Sequence, residues 1–439
     1  MNKKISLIEA IAMAVGTMIG ASIFSIFGVG AKIAGHNLPL AFVLSGIFAY
    51  LVAYSYAKLG AKIVSNAGPI AFILRGIGDN VFTGALAILM WLSYVVSIAL
   101  FAKGFGGYFL PLFHLPITSF SLGMVEVLLI SFFTALNFFG SKAVGKVEFY
   151  IVLIKLSILG VFILLGAITI HGSYIIPSFD QKGIHGILNA SIIFFLSYMG
   201  FGLVTNASEN MENPKKNVPL AIYISIAVVM FVYVSVALVA IGNLTIPQLI
   251  QAQDNALAVA ARPFLGSFGF VLISLGALFS ISSALNATIY GGANISYSLA
   301  KDGELPEIFE RKVWFKSTEG LYITAALGLF FALFFNISEI ATITSGIFTM
   351  IYIFVLIAHI RLINKKSVEG KVLFVGLNVI ILMAVFFALL FYQWQTQRSA
   401  FWGLLATLFG AILVEYIYRN LATRKFKRIK EFKEKPQNS

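Results

Sequence analysis

No cysteine occurs among the 439 residues, and histidine occurs five times. The first absence excludes disulfides and thiolate metal sites. His36, His114, His171, His185 and His359 all fall in connections or at the ends of apolar runs. A membrane-embedded enzyme would need a cluster of His, Asp or Glu inside the bilayer, and the sequence offers none, so no catalytic residue, metal or cofactor is expected. Charge is scarce too: 11% of residues are Asp, Glu, Lys or Arg, against about 25% in soluble domains. What fills the chain instead is hydrophobic side chains, 59% of the total. The composition is that of an integral membrane protein with an all-α fold.

Runs near 20 apolar residues, the length that spans a bilayer, lie at about 10–34, 39–63, 81–112, 122–140, 147–170, 187–207, 218–242, 266–299, 320–336, 340–360, 371–392 and 399–419. They make twelve transmembrane helices. The start, MNKKISLIEAIAMAVGTMIGASIF, has the outline of a signal peptide, but its apolar run continues past the weak Ala12-Met13-Ala14 triplet, which reads as a retained first helix. Ser6 followed by Glu9 is a capping-box pattern that starts it. With the N-terminus inside, 25 of the 31 Lys and Arg fall on the cytoplasmic side. The positive-inside rule therefore puts both termini in the cytoplasm of a multi-pass cell-membrane protein. It accounts for the net charge of +13 without nucleic acid. The basic tail at 420–439 reads as a solvated end touching lipid headgroups.

Two spans are interrupted. VGTMIGASIFSIFG in the first packs Gly16, Gly20, Ala21 and Ser22 at mid-bilayer, and FFLSYMGFGLVTN in the sixth packs Ser197, Gly200 and Gly202 there. Gly16 and Gly20 also fit a close-packing GxxxG contact. Breaks at matching places in two halves, 1–170 and 187–361, point instead to a secondary transporter built of inverted five-helix repeats. Residues 371–419 then supply two further helices. A channel would show repeated polar or charged rings, and none is present; a nutrient sensor on a transporter scaffold stays open as an alternative, with the short basic tail, which lacks room for a signalling domain, counting modestly against it.

The segments IGASIF, NFFGSKAVGKVE, FLSYMGFG, SENMENPKKNVPLAI and LAKDGELP, in that order over residues 6 to 310, resemble the amino acid-polyamine-organocation (APC) superfamily, and within it the archaeal proton-coupled, broad-specificity amino-acid transporters. The resemblance implies the LeuT-type fold, with a 5+5 inverted repeat and broken helices 1 and 6. It implies a carboxylate site at the N–H groups of Gly20, Ala21 and Ser22, and an ammonium site at the carbonyls of Met18, Leu196 and Met199. Ser197, Tyr198, Gly200 and Phe201 complete the expected substrate site. Tyr198 and Phe201, with Phe195 and Met199, are apolar walls suited to neutral L-amino acids, and such walls separate a methylene by only about 1–3 kcal/mol, so broad specificity follows. Where many relatives carry a glutamate, this chain has Gly202, which disfavours cationic substrates.

Lys155 stands in the middle of span five, nine residues past Lys146, about 13 Å at 1.5 Å per residue into a core about 30 Å thick. An ammonium there costs at least a few kcal/mol and is too deep to snorkel. Glu126, Glu9, Glu148 and Glu209 lie toward the ends of their spans. In sodium-coupled relatives of this fold a cation sits between spans one, five and eight, and the resemblance places Lys155 at that position, facing the carbonyl of Gly16 and the hydroxyls of Ser280 and Ser283. Desolvation disfavours the charged amine, so the lysine is suited to loading and releasing a proton in each cycle. The expected function is proton-coupled uptake of neutral L-amino acids by a monomer through alternating access. The alternative is an ion-independent exchanger in which Lys155 is a structural link between helices.

Overall fold

In the computed structural model, residues 4–20, 22–65, 68–139, 144–301, 303, 305–313 and 317–421 are described. The helices are α1 (Leu7–Met18), α2 (Ser22–Ser25), α3 (Phe27–Ala34), α4 (Leu38–Lys62), α5 (Pro69–Ile77), α6 (Val81–Leu112), α7 (Ser119–Leu136), α8 (Val144–Ala167), α9 (Gln181–Phe194), α10 (Leu203–Asn206), α11 (Pro214–Asn243), α12 (Ile246–Ala252), α13 (Ala256–Ala260), α14 (Arg262–Lys301), α15 (Glu319–Phe334), α16 (Ile337–Asn364), α17 (Val372–Thr396) and α18 (Arg398–Leu421). Among the described residues, eleven helical stretches are long and apolar enough to cross a membrane, and α15 is a shorter apolar one. The twelve expected spans each correspond to one of these stretches. The connections add α5, α12 and α13, which hydropathy alone reads as loops.

Local sequence chemistry sets the ends of the helices. Glu9 N–H donates to the Ser6 hydroxyl at 3.3 Å while Ser6 N–H donates to the Glu9 carboxylate at 2.8 Å, so the capping box satisfies donors at both residues. Pro39, Pro69 and Pro214 sit in first turns, where the missing N–H has no intrahelical partner to lose. Asn80, Thr118, Asp180 and Asn336 cap α6, α7, α9 and α16 through their side chains.

Both expected interruptions are present. Span one stops at Met18, and Ile19 turns to ψ 39° before the chain resumes at Ser22. Span six runs as α9 to Phe194, tightens into a 3-10 stretch over Phe195–Gly202, and ends in α10. A mid-helix 3-10 stretch of eight residues is long for that conformation and marks a strained place in the bundle.

The connections alternate between two ends of the bundle. The end where α1 begins is called the base, and the other the roof. At the roof α3 lies against α9 so closely that a Cβ on Gly30 would stand 1.9 Å from the Phe194 ring, and Phe194 stacks on Phe42 with centroids 4.0 Å apart. Asn37 exchanges two hydrogen bonds with the backbone of Ser178, at 2.6 and 2.9 Å. At the base, Ile5 N–H donates to the Asn210 carbonyl at 2.8 Å and Glu212 N–H to that of Ile5 at 2.9 Å. α6 and α16 form the interior, with 83% and 78% of their apolar windows buried, whereas α7 is 17% buried and is left for lipid. α17 and α18 pack outside α16.

Candidate functional site

A cavity of about 170 Å³ lies where both broken spans meet α6, α14 and α16. It has room for about six waters at the roughly 30 Å³ that a water takes in the liquid. The end of α1 contributes Gly16, Thr17 and Met18, and the 3-10 stretch contributes Leu196, Met199, Gly200 and Gly202; Ser93, Tyr94 and Ser97 come from α6, Ala284 and Thr288 from α14, and Phe348 and Tyr352 from α16. No charged side chain lines it among the described residues. The lining continues to Pro69 and Asn206 at the base, and Ala287 on its wall is exposed. The cavity thus extends toward the base.

The expected substrate residues divide along the phase of the 3-10 stretch. Three residues per turn put Leu196, Met199 and Gly202 on one side, which is the cavity side. Phe195, Tyr198 and Phe201 share the opposite side and are fully buried. Tyr198 donates to the Phe42 carbonyl at 2.9 Å, and Phe201 packs between Tyr56 and Tyr352 at 5.3 and 5.7 Å. The walls read from sequence as Phe195, Tyr198 and Phe201 therefore form the core behind the cavity, while Tyr56, Tyr94, Phe101, Phe348 and Tyr352 supply its aromatic surface. Ser197 is 1% exposed and does not line the cavity. Gly20 is buried beside Ala284. Ala21 and the side chain of Ser22 lie outside the described residues, although the backbone of Ser22 begins α2.

Tyrosines bond to carbonyls at both breaks. The Tyr233 hydroxyl of α11 donates to the Met18 carbonyl and, at 3.2 Å, to that of Ser197, joining both broken spans. Tyr352 donates to Met199 at 3.4 Å. Sequence reading missed Tyr233 and Tyr352; the available signal was a phenol set in the centre of an apolar span, where its O–H must find a partner. The carbonyls of Met18 and Met199, expected to face a substrate ammonium, each accept a tyrosine hydroxyl here.

Lys155 is 2% exposed, and its ammonium donates to the Gly16 carbonyl at 2.5 Å. α8, which carries it, packs against both α1 and α14. From α14 the Ser280 hydroxyl donates to the Ile19 carbonyl at 2.9 Å and reaches that of Gly20 at 3.4 Å. The four expected coupling residues thus divide their work. Lys155 clips α8 to Gly16 just before the break, Ser280 clips α14 to Ile19 and Gly20 within it, and Ser283 stands one turn further along α14, half-buried. The buried acidic groups of other spans are engaged elsewhere: Glu126 pairs with Lys103 at 3.2 Å, Glu339 accepts from Ser399, and Arg419 bridges Glu415 and Asp79. His359 is buried inside the last turns of α16, with its ring nitrogens 2.9 Å from the Ser55 hydroxyl and 3.2 Å from the Glu369 carbonyl.

Residues 5–415 match the sequence model of the family described as Amino acid permease. The chain belongs to the amino acid permease family. It is thereby a member of the APC superfamily, and its fold is that of an APC-type integral membrane transporter. The permease is 66% identical to the uncharacterized protein MJ0609 of Methanocaldococcus jannaschii over 97% of each chain. It is 32% identical to the inner membrane transport protein YbaT of Escherichia coli, covering 95% of this chain and 97% of that one. A methylthioribose transporter of Bacillus subtilis is 29% identical over 85% of this chain and 83% of its own. Family and relatives together make the permease an amino-acid transporter of the membrane.

Proposed function

We propose that the permease takes up neutral L-amino acids in symport with protons by alternating access, with Lys155 as the proton carrier in the place of a sodium ion. The observation that carries this reading is the contact of a 2%-exposed ammonium with the Gly16 carbonyl at the broken span. A protonated amine offers three donors and no acceptor, which suits a cage of carbonyls and hydroxyls from Gly16, Ser280 and Ser283. Protonated, it ties α8 to α1 near the substrate cavity; neutral, it holds Gly16 far more weakly. The proton then biases the conformers by as much as the lysine's proton affinity differs between them.

On this reading the N–H groups of Gly20, Ala21 and Ser22 receive the substrate carboxylate at the positive end of the second half-helix. The Met18, Leu196 and Met199 carbonyls receive the ammonium, displacing or sharing the Tyr233 and Tyr352 hydroxyls. A lining without charge and with Phe348, Tyr352, Leu196 and Met199 favours neutral side chains. The charge bias assigns the base to the cytoplasm, with both termini there, so a bundle closed at the roof faces inward. The two five-span halves, 1–170 and 187–361, move about this site in a single chain that needs no partner copy.

The test is accumulation in proteoliposomes under an imposed pH gradient. Wild-type permease is expected to concentrate alanine or leucine, and Lys155→Ala to lose accumulation while retaining binding. Accumulation by Lys155→Ala equal to wild type contradicts the reading. Loss of accumulation with unchanged exchange of labelled for unlabelled substrate separates the carrier role from general damage.

A further inference from the structure

Lys103, on the roof half of α6, gives its ammonium to Glu126 of α7 at 3.2 Å, and Glu126 is 1% exposed. Asp254 sits in the turn Gln253–Asn255 between α12 and α13, and its side chain lies on Gly107, one turn beyond Lys103. A Cβ at Gly107 would meet the Asp254 Cβ at 2.5 Å and a carboxylate oxygen at 3.1 Å. The turn is also seated through its backbone: a Cβ on Gly28 of α3 would stand 2.2 Å from the Gln253 carbonyl. Gln253 itself has φ +50°, a conformation that a non-glycine residue keeps when its surroundings impose it. Tyr108, beside Gly107, donates to the Phe24 carbonyl at 3.1 Å, so the same stretch of α6 also touches the start of the second half of span one. One ammonium here faces two carboxylates and is committed to one of them.

We propose that Asp254, set against the Lys103–Glu126 pair, is a second proton-binding site, at the roof, whose occupancy favours docking of the Gln253–Asn255 turn onto α3 and α6. With Lys103 paired to Glu126, an ionised Asp254 adds a second carboxylate that the one ammonium compensates only in part; a protonated one adds no charge. Burial accordingly lifts its pKa from 3.8 to about 6, with the Lys103 charge opposing the shift. The neighbouring elements bring little else to bear. α2, α12 and α13 carry no titratable side chain, α3 carries the exposed Lys32, and α6 contributes Lys103 and Tyr108.

The sign follows from the raised pKa of an acid. The docked turn holds the proton more tightly than the undocked one, so docking is most favoured in acid and weakens as pH rises from about 4 to about 6. Across that window the docking equilibrium changes by up to about 100-fold, less the part screened by water. The roof of the permease is therefore held shut more firmly at acid pH, and this proton sets a conformer without crossing the membrane. The site is independent of the transport role of Lys155.

The absence of cysteine makes the test direct. Ala31→Cys places a thiol at a fully buried position one turn from Gly28 on the face of α3 that the turn covers. In proteoliposomes its labelling by an impermeant maleimide is followed from about pH 4.5 to about pH 7, a range that covers most of the window in which the docking equilibrium shifts. Each rate is divided by that of the exposed Lys182→Cys, which removes the thiol's own pH dependence. The expected result is a normalised rate that rises several-fold with pH, becomes slow and flat in Asp254→Asn and in Asp254→Ser, and keeps its rise in Lys155→Ala. A rise retained in both Asp254 variants, a parent with no rise, or a rise lost in Lys155→Ala but kept in Asp254→Asn each overturns the site.

Discussion

Replacing Gly30 by Ala is expected to hold the roof open. The added Cβ would stand 1.9, 2.5 and 3.0 Å from three atoms of the Phe194 ring, well inside the roughly 3.5–4.0 Å of an ordinary carbon contact. The ring has nowhere to retreat: Phe194 and Phe42 are both fully buried, stacked at 4.0 Å, and Phe42 is backed in turn by Tyr233 at 5.3 Å. Overpacking of this kind costs about 1–3 kcal/mol. The cost arises while α3 touches α9 and vanishes when they part, so it acts on the conformational equilibrium more than on folding. It corresponds to a shift of about 5- to 150-fold toward the roof-open state. Initial uptake rates in proteoliposomes are expected to fall at least about fivefold, with a thermal midpoint in detergent lowered by a few degrees at most. Phe194→Leu in the same chain removes the clash and is expected to restore most of the rate, giving a coupling energy between the two positions. Wild-type uptake by Gly30→Ala, or the same loss with and without Phe194→Leu, refutes the argument.

Tyr233→Phe keeps the ring contacts with Phe42 and Tyr198 but leaves the Met18 and Ser197 carbonyls without that donor. A cost of about 1–2 kcal/mol to the base-open state is expected to weaken apparent substrate affinity measured from the base about 5- to 30-fold and to leave the roof side unchanged; equal effects on the two sides count against it. Ser280→Ala removes the α14 clip on Ile19 and is expected to slow turnover with little change in binding, which efflux and scintillation-proximity measurements separate. Arg419→Ala leaves Glu415, fully buried, and Asp79 without their shared cation. Allowing for an arginine that is 23% exposed, roughly 1–3 kcal/mol of stability is lost, seen as a lower thermal midpoint with substrate affinity intact.

Much of this architecture is written locally. A run of about 20 apolar residues has one physical solution in lipid, which is why the spans are legible to within a few residues and why Ser6 and Glu9 mark where the first begins. Glycine and small polar residues at mid-span likewise betray the break after Met18. That Lys155 needs an oxygen partner was legible from its depth in the span, whereas Gly16 as that partner came from the family resemblance. The helical phase of the second break was not legible: Phe195, Tyr198 and Phe201 look like pocket walls on an α-helical or unwound segment, and the tighter 3-10 turn rotates them into the core. Nor do single residues announce partners far along the chain. Tyr233 reaching Met18, Lys103 reaching Glu126 and Asp254 lying on Gly107 depend on how helices are arranged, and hydropathy carries no information about that.

The claim that Lys155 carries the coupled proton is tested most directly by recording luminal pH while substrate flows. With a pH dye trapped in proteoliposomes at equal pH on both sides, addition of alanine to wild-type permease is expected to acidify the lumen in proportion to the amino acid taken up. The same substrate flux through Lys155→Ala is expected to leave luminal pH unchanged. Acidification by Lys155→Ala in the wild-type ratio to flux, or none by wild type during net uptake, contradicts the account.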